Sequence, residues 1–218
     1  MSSPITVLLA DDHAMVREML RDRLQAELDI AVVGVVETAD QAVTRALELR
    51  PTVVVLDIDM PGLLSFDAAR TIKSHLPDTS VIFLSAFFHD RYIEEALAAE
   101  VSGYVTKTEP TDSIVQAVRD AVSGAAYFSP EVRARIVVDS GGTRLAQTTL
   151  TRSSTLTRRE LEVLRYIAKG LAKKEIAETL HLSVKTVERH SDNLMRKLDI
   201  HDRVELARHA IREGLAGL

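Results

Sequence analysis

The chain has 218 residues and 46% hydrophobic content, enough for one large or two small cores, and no apolar run long enough to cross a bilayer. It holds no cysteine, which excludes a disulfide framework and a thiolate metal site and fits residence in the cytoplasm. The net charge of −5 is uneven: residues 1–138 carry 12 basic and 21 acidic side chains and residues 156–218 carry 13 and 10, so a mildly basic tail follows an acidic body, which suits a nucleic-acid-binding module on a separate domain.

Met1-Ser2-Ser3-Pro4 has no basic segment, and the apolar stretch behind it stops at Asp11, so it reads as a first strand and not as a signal peptide. Short apolar runs predict strands over 5–10, 30–36, 53–57, 79–84 and 102–106. Amphipathic stretches between them predict helices near 14–27, 39–49, 65–75, 90–99 and 111–123. This alternation implies βαβ units and a parallel sheet. Ser129-Pro130-Glu131 reads as a further helix start, with serine as cap and proline in the first turn. Asp139-Ser140-Gly141-Gly142-Thr143 and the Thr/Ser-rich stretch to Thr155 read as a flexible linker.

From Leu156 the pattern is helical. Thr157 and Glu160 have capping-box spacing, with Leu161, Leu164, Ile167 and Ala168 on one face and Gly170 as a stop. A short helix with Ile176, Ala177 and Leu180 inward starts from Ala172, a poor cap. Ser183 caps a third helix, and Asp202 with Glu205 starts a fourth carrying Leu206, Ala210 and Ile211. In the third, Val184, Val187, Leu194, Met195 and Leu198 are the expected core. Lys185, Glu188, Arg189, Asp192 and Arg196 form a separate polar stripe.

Five polar groups fall just past the carboxyl ends of strand-like runs: Asp11 and Asp12 after the first, Asp57 after Val53-Val54-Val55-Leu56, Ser85 after the fourth and Lys107 after the fifth. In an open parallel α/β sheet those ends meet at one crevice. Taken singly, Asp57 is a turn residue, Asp12 a helix cap, Ser85 a loop hydroxyl and Lys107 a solvated lysine. Their coincidence at the strand ends favours a site for a divalent metal and a phosphoryl group on a carboxylate.

This constellation resembles the receiver domain of bacterial response regulators. The motifs Leu156-Thr157-Arg158-Arg159-Glu160, Lys174-Glu175-Ile176-Ala177 and Lys185-Thr186-Val187-Glu188-Arg189-His190 resemble the LuxR-type helix-turn-helix. Together they resemble the NarL/FixJ family of two-component transcription factors. The resemblance implies a flavodoxin-like (βα)5 receiver with a parallel sheet ordered 2-1-3-4-5 over residues 1–128. A linker with a short helix would follow over 129–155, and a small all-α four-helix DNA-binding domain over 156–218. It makes Asp57 the acceptor of a phosphoryl group from a sensor histidine kinase. Mg2+ would be held by Asp12, Asp57, Asp11 through water, and the backbone carbonyl of Asp59. Lys107 and Ser85 would bind phosphoryl oxygens, and Tyr104 would turn inward as Ser85 moves; a half-buried strand tyrosine is the plainer reading. The expected partners are the kinase, double-stranded DNA and a second copy of the chain, with no membrane.

In the third helix Arg189 is the candidate reader of guanine and Glu188 of cytosine N4. Lys185, Thr186, Lys173 and Lys174 suit phosphate, and Asp192 and Arg196 complete the stripe. The plainer reading is a solvated face of mixed charge. The last helix suits either a dimer contact or packing within its domain. The chain departs from many receivers at Leu64-Ser65, at Phe87-Phe88 and at Thr108; Phe87 is expected to shield the phosphoryl group from water. Two rivals stand beside this reading. One is a haloacid-dehalogenase-like phosphatase, suggested by Asp57-Ile58-Asp59; the other is a receiver-fold DNA-binding protein that works without phosphorylation.

Overall fold

The structure is a computed structural model that describes residues 3–60, 63–86, 89–139, 142–146 and 155–213. The chain forms two compact units: Met1–Ala86 with Glu94–Ile136, and Phe87–Ile93 with Val137–Leu218.

The first unit is built on β1 (Ile5–Ala10), β2 (Ile30–Val36), β3 (Val53–Asp57), β4 (Ser80–Ser85), β5 (Gly103–Thr106) and β6 (Tyr127–Phe128). All pair in parallel in the order β2-β1-β3-β4-β5-β6. Helices α1 (Ala14–Gln25), α2 (Ala39–Leu49), α3 (Ser65–His75), α4 (Asp90–Ala98) and α5 (Asp112–Val122) join successive strands. The five strands and five helices expected from the sequence are present. β6 is an addition to the expected order 2-1-3-4-5.

Every residue of β3 is buried, as its unbroken apolar run requires when helices cover both faces of a parallel sheet. Val7, Leu9, Val53, Val55, Ile82, Leu84 and Val105 point to one face, where Leu20 and Leu24 of α1 and Ile114, Val115 and Val118 of α5 join them in one core. The alternate residues fill the other face, where the Phe83 ring meets Phe66 of α3 edge-on at 5.0 Å. At Gly34 a Cβ would lie 2.9 Å from the Cδ1 atoms of both Leu8 and Leu49, so a larger residue would have to push those two leucine ends aside.

Ser129 precedes α6 (Pro130–Arg133) as expected, but its hydroxyl does not cap that helix. It accepts instead from the Thr106 amide at 2.8 Å, while the Ser129 amide donates to the Tyr104 carbonyl at 2.9 Å. β7 (Ile136–Asp139) and β8 (Gly142–Leu145) pair as a two-stranded sheet where the sequence reads as a flexible linker. The β-branched run Ile136-Val137-Val138 supplies the strand propensity that the adjacent Gly-Gly masks. Ser140, Gly141 and residues 147–154 of the expected linker, like Phe87 and Phe88, lie outside the described residues.

The second unit holds α7 (Arg158–Ala168), α8 (Lys173–Thr179), α9 (Val184–Leu198) and α10 (Arg203–Arg212). Thr157 and Glu160 close a capping box on α7, and Gly170 follows it at φ +83°, the left-handed turn that favours glycine. Ala172 has no side-chain acceptor for α8, although Glu175 reaches back to the Ala172 amide at 2.6 Å. Ser183 and Asp202 cap α9 and α10 through their side chains. Two expected core residues of α9 are corrected: Val184, the first helical residue, is 43% exposed, and Met195 is only partly buried. The inward positions are Val187, Ser191, Leu194 and Leu198; the Ser191 hydroxyl is satisfied by the Val187 carbonyl at 2.9 Å.

Candidate functional site

The register of the sheet sets the site. Ala10 pairs with Leu56, Asp57 with Leu84, and Ser85 with Thr106, so the residues that end β1, β3, β4 and β5 lie side by side. Asp11, Asp57, Ser85 and Thr106 are all essentially inaccessible to solvent. The Lys107 ammonium lies 2.7 Å from Asp11 Oδ2 and 3.0 Å from Asp57 Oδ2. Ligand atoms of Asp11, Asp12, His13 and Asp57 all lie within 4.8 Å of one another.

Local bonds hold these groups in place. Asp11 Oδ1 accepts from the His13 amide at 2.8 Å, and Arg17 donates to the Asp11 carbonyl at 2.7 Å while pairing with Glu37. Asp12 does not cap α1: the residue before that helix is His13, and no side chain caps it. The Asp59 amide donates to Asp57 Oδ1 at 3.3 Å, and Ser65 donates to the Ile58 carbonyl at 3.2 Å. Ser65 thus ties down the loop after β3, where the Leu64-Ser65 departure falls. The Lys107 amide donates to the Ser85 carbonyl at 2.7 Å.

Burial alone would lower the Lys107 pKa, but the charges of Asp57 and Asp11 more than offset it and hold it above the usual lysine value. Lys107 is therefore a fixed cation. Burial pushes the Tyr104 phenol far above its usual range, against a smaller opposing hydrogen bond from Ser85, and Asp57 adds to the rise. Tyr104 is fully buried, so its ring is inward here, beside Ser85.

Three carboxylates converge here. Asp11 and Asp57 share the ammonium of Lys107, and the His13 imidazole stands beside Asp11 and Asp12. Converging carboxylate oxygens suit a hard divalent cation, which takes oxygen ligands and keeps several waters. His13 was not singled out from the sequence; the only signal available was its place next to the acid pair.

In the second unit Lys173, Lys174, Lys185, Glu188, Arg189, Asp192 and Arg196 are exposed and Thr186 is partly so. Ser183, Lys185, Thr186, Glu188, Arg189 and Asp192 line one open groove along α9. Glu188 is paired with Lys173 of α8 at 3.2 Å, a contact that spacing along one helix does not foretell. Arg196 binds Asn193 at 2.9 Å, one turn further on and outside the groove lining. Lys197 anchors the start of the unit, 2.6 Å from Glu160 and 3.0 Å from the Thr155 carbonyl.

Among known families, residues 7–119 match the model of the response regulator receiver domain, and residues 154–210 match that of the bacterial regulatory proteins of the luxR family. The response regulator protein VraR of Staphylococcus epidermidis is 35% identical over 211 residues, covering 97% of this chain and 98% of the relative. RcsB from Salmonella enterica serovar Typhimurium, solved bound to the promoter P1flhDC with the phosphomimetic BeF3−, is 25% identical with a TM-score of 0.70 over 95% of this chain and 98% of that one. A LuxR-family two-component response regulator from Aurantimonas sp. SI85-9A1 is 29% identical with a TM-score of 0.58, over 61% of this chain and 94% of that one.

Proposed function

The chain belongs to the two-component response regulators that join a receiver domain to a LuxR-type DNA-binding helix-turn-helix, and we propose that Asp57 is the residue through which it is switched. The family is one of transcription factors, not enzymes, which removes the phosphatase rival. In that rival the acid pair would also lie downstream of the nucleophile, whereas Asp11 and Asp12 follow β1, ahead of β3 in the chain.

The observation that carries the proposal is the Asp57 carboxylate at the end of a central buried strand, 3.0 Å from the fixed positive charge of Lys107 and beside two further acids. An Asp57 oxygen attacks the phosphorus of a phosphohistidine on a sensor kinase; the new O–P bond forms as the P–N bond breaks and the histidine leaves. Mg2+, when bound, neutralises charge on the phosphoryl oxygens. Asp11, Asp12, Asp57 and the Asp59 carbonyl are the groups that would hold it. Lys107 is placed to exchange its contact with Asp57 Oδ2 for a phosphoryl oxygen. Ser85, buried at the end of the neighbouring strand β4, would bond the same group, and buried Tyr104 is hydrogen-bonded to Ser85. Incubation with acetyl phosphate and Mg2+ should add one phosphoryl group by intact mass, and Asp57→Asn should add none. Full labelling of that variant would overturn the assignment.

The output reads double-stranded DNA through α9. Arg189 is the base reader and Lys185, Thr186, Lys173 and Lys174 the phosphate contacts, with Asp192 and Arg196 flanking. Lys173 supports this by pairing with Glu188, which mutes the repulsion between that carboxylate and the phosphate backbone. Phosphorylation favours a homodimer on paired half-sites; the exposed Val204 on α10, 70% accessible, supplies apolar surface for it. The domain limits 1–128, 129–155 and 156–218 belong to the same proposal, with the first part of the linker, through Ile136, packed into the receiver's compact unit. No helix among the described residues is long and apolar enough to cross a membrane.

A further inference from the structure

Resting on the reading of the acidic pocket as a divalent-cation site, we propose that His13 is a side-chain ligand of that cation and tilts the site toward transition ions over Mg2+. His13 Nδ1 lies 2.7 Å from Asp12 Oδ1 and 3.3 Å from Asp11 Oδ1. Two ligands at right angles around an ion about 2.1 Å away stand about 3 Å apart, and opposed ligands about 4.2 Å apart. The two imidazole separations straddle the first figure. The limit of 4.8 Å on all four donors accommodates the second.

Position and access support this. The His13 backbone is extended, at φ −86° and ψ 108°, and its amide is held by Asp11 Oδ1 at 2.8 Å, so the ring hangs over the same carboxylate that Lys107 grips from the other side. The imidazole is 57% exposed while Asp11 is inaccessible, which places His13 at the mouth, where an ion arrives with its water. Its chemistry differs from that of the remaining donors. Carboxylates and a carbonyl suit Mg2+, whereas an imidazole nitrogen adds little for Mg2+ and progressively more along the series from Mn2+ to Ni2+. A plain ion pair between His13 and Asp12 gives the same short distance with no bound metal, and that is the alternative the test must separate.

The test uses the full-length protein with Mn2+ and Mg2+. Electron spin-echo spectra of bound Mn2+ should show modulation from a directly coordinated nitrogen, and excess Mg2+ should remove the signal by displacement. In His13→Ala and His13→Asn the nitrogen modulation should vanish and the Mn2+/Mg2+ affinity ratio should fall about tenfold, the scale on which single metal-site side chains act. Mg2+ affinity in both variants should stay within about twofold, because oxygen donors and water satisfy that ion. Mn2+ bound without nitrogen modulation, or modulation that persists in both variants, would overturn the role of His13 and leave the cation site standing. Absence of Mn2+ binding, or binding that Asp12→Ala does not weaken, would instead remove the cation site itself.

Discussion

Replacing Asp57 by asparagine is expected to make the metal-free receiver more stable. Asp57 and the other two carboxylates lie within 4.8 Å of one another. At that separation and an effective dielectric of about 20, each like-charge pair repels by about 3.5 kcal/mol. Lys107, 3.0 Å away, attracts Asp57 by about 5.5 kcal/mol on the same scale. Among these three charge interactions the two repulsions outweigh the attraction by about 1.5 kcal/mol, and the Asp59 amide bond to Asp57 Oδ1 is one that an asparagine oxygen can keep. Asp12 is 28% exposed, which screens its share, while relief from dehydrating the Asp57 charge acts in the other direction. A net gain of about 1 kcal/mol should raise the receiver's melting transition by about 4 °C in EDTA. Divalent cation should reverse the order: at a hundredfold excess over its Kd, Mg2+ stabilises the parent by about 2.7 kcal/mol, and a variant lacking one ligand gains far less. Calorimetry of both proteins with EDTA and with Mg2+ measures all four values. A lower-melting Asp57→Asn protein in EDTA, or equal gains from Mg2+, would refute the charge argument.

Arg189→Ala should weaken binding to the preferred DNA site by about 1–3 kcal/mol and relax the preference at one base pair, whereas Lys185→Ala should weaken all sequences alike and reduce the salt slope by about one; titrations at several salt concentrations separate them. Lys197→Met strips the buried Glu160 carboxylate of its partner and should destabilise the DNA-binding unit by about 1–3 kcal/mol in urea. Burial alone would raise the Glu160 pKa, but Lys197 and the Thr157 amide and hydroxyl more than offset it and hold it below its usual value. That contribution is therefore complete above about pH 4.3 and lost as the pH falls further, and the Lys197→Met protein should show a shallower acid slope below that point. Ser129→Ala leaves the buried Thr106 amide without its acceptor and should lower receiver stability by about 1–3 kcal/mol in a urea titration.

What could be read from the chain alone follows from how local each signal is. Val53-Val54-Val55-Leu56-Asp57 announces a buried strand with a carboxylate at its end, because four consecutive apolar residues and an acid need no distant partner to be interpreted. The same holds for Thr157 with Glu160, a cap closed within one turn. β6 escapes because two residues carry no period; Tyr127 and Phe128 become a strand only through pairing with Gly103 and Tyr104. Val184 has the spacing of a core residue but sits in the first turn of α9, where no neighbouring element covers it. Lys173 with Glu188, and Ser129 with Thr106, are 15 and 23 residues apart and meet only once helices and strands have packed. His13 lay beside the acids in the sequence, yet one histidine next to two aspartates acquires meaning only when its nitrogen is seen to face their oxygens.

The double tie of Ser129 to β5 bears on where this protein can be divided. The receiver family match ends at residue 119, and α5 ends at Val122, which invites a cut just beyond. Such a cut would strip the Thr106 amide and the Tyr104 carbonyl of their partners on the strand that leads into Lys107, and would uncover Gly103 and Tyr104 along a free edge. The compact unit runs instead to Ile136 and includes Phe128 and Val132, both buried. An excised or transplanted receiver should therefore carry α6 with it. A chimera joined after α5 would possess every residue of the acidic pocket while lacking the seam that holds one wall of it in register.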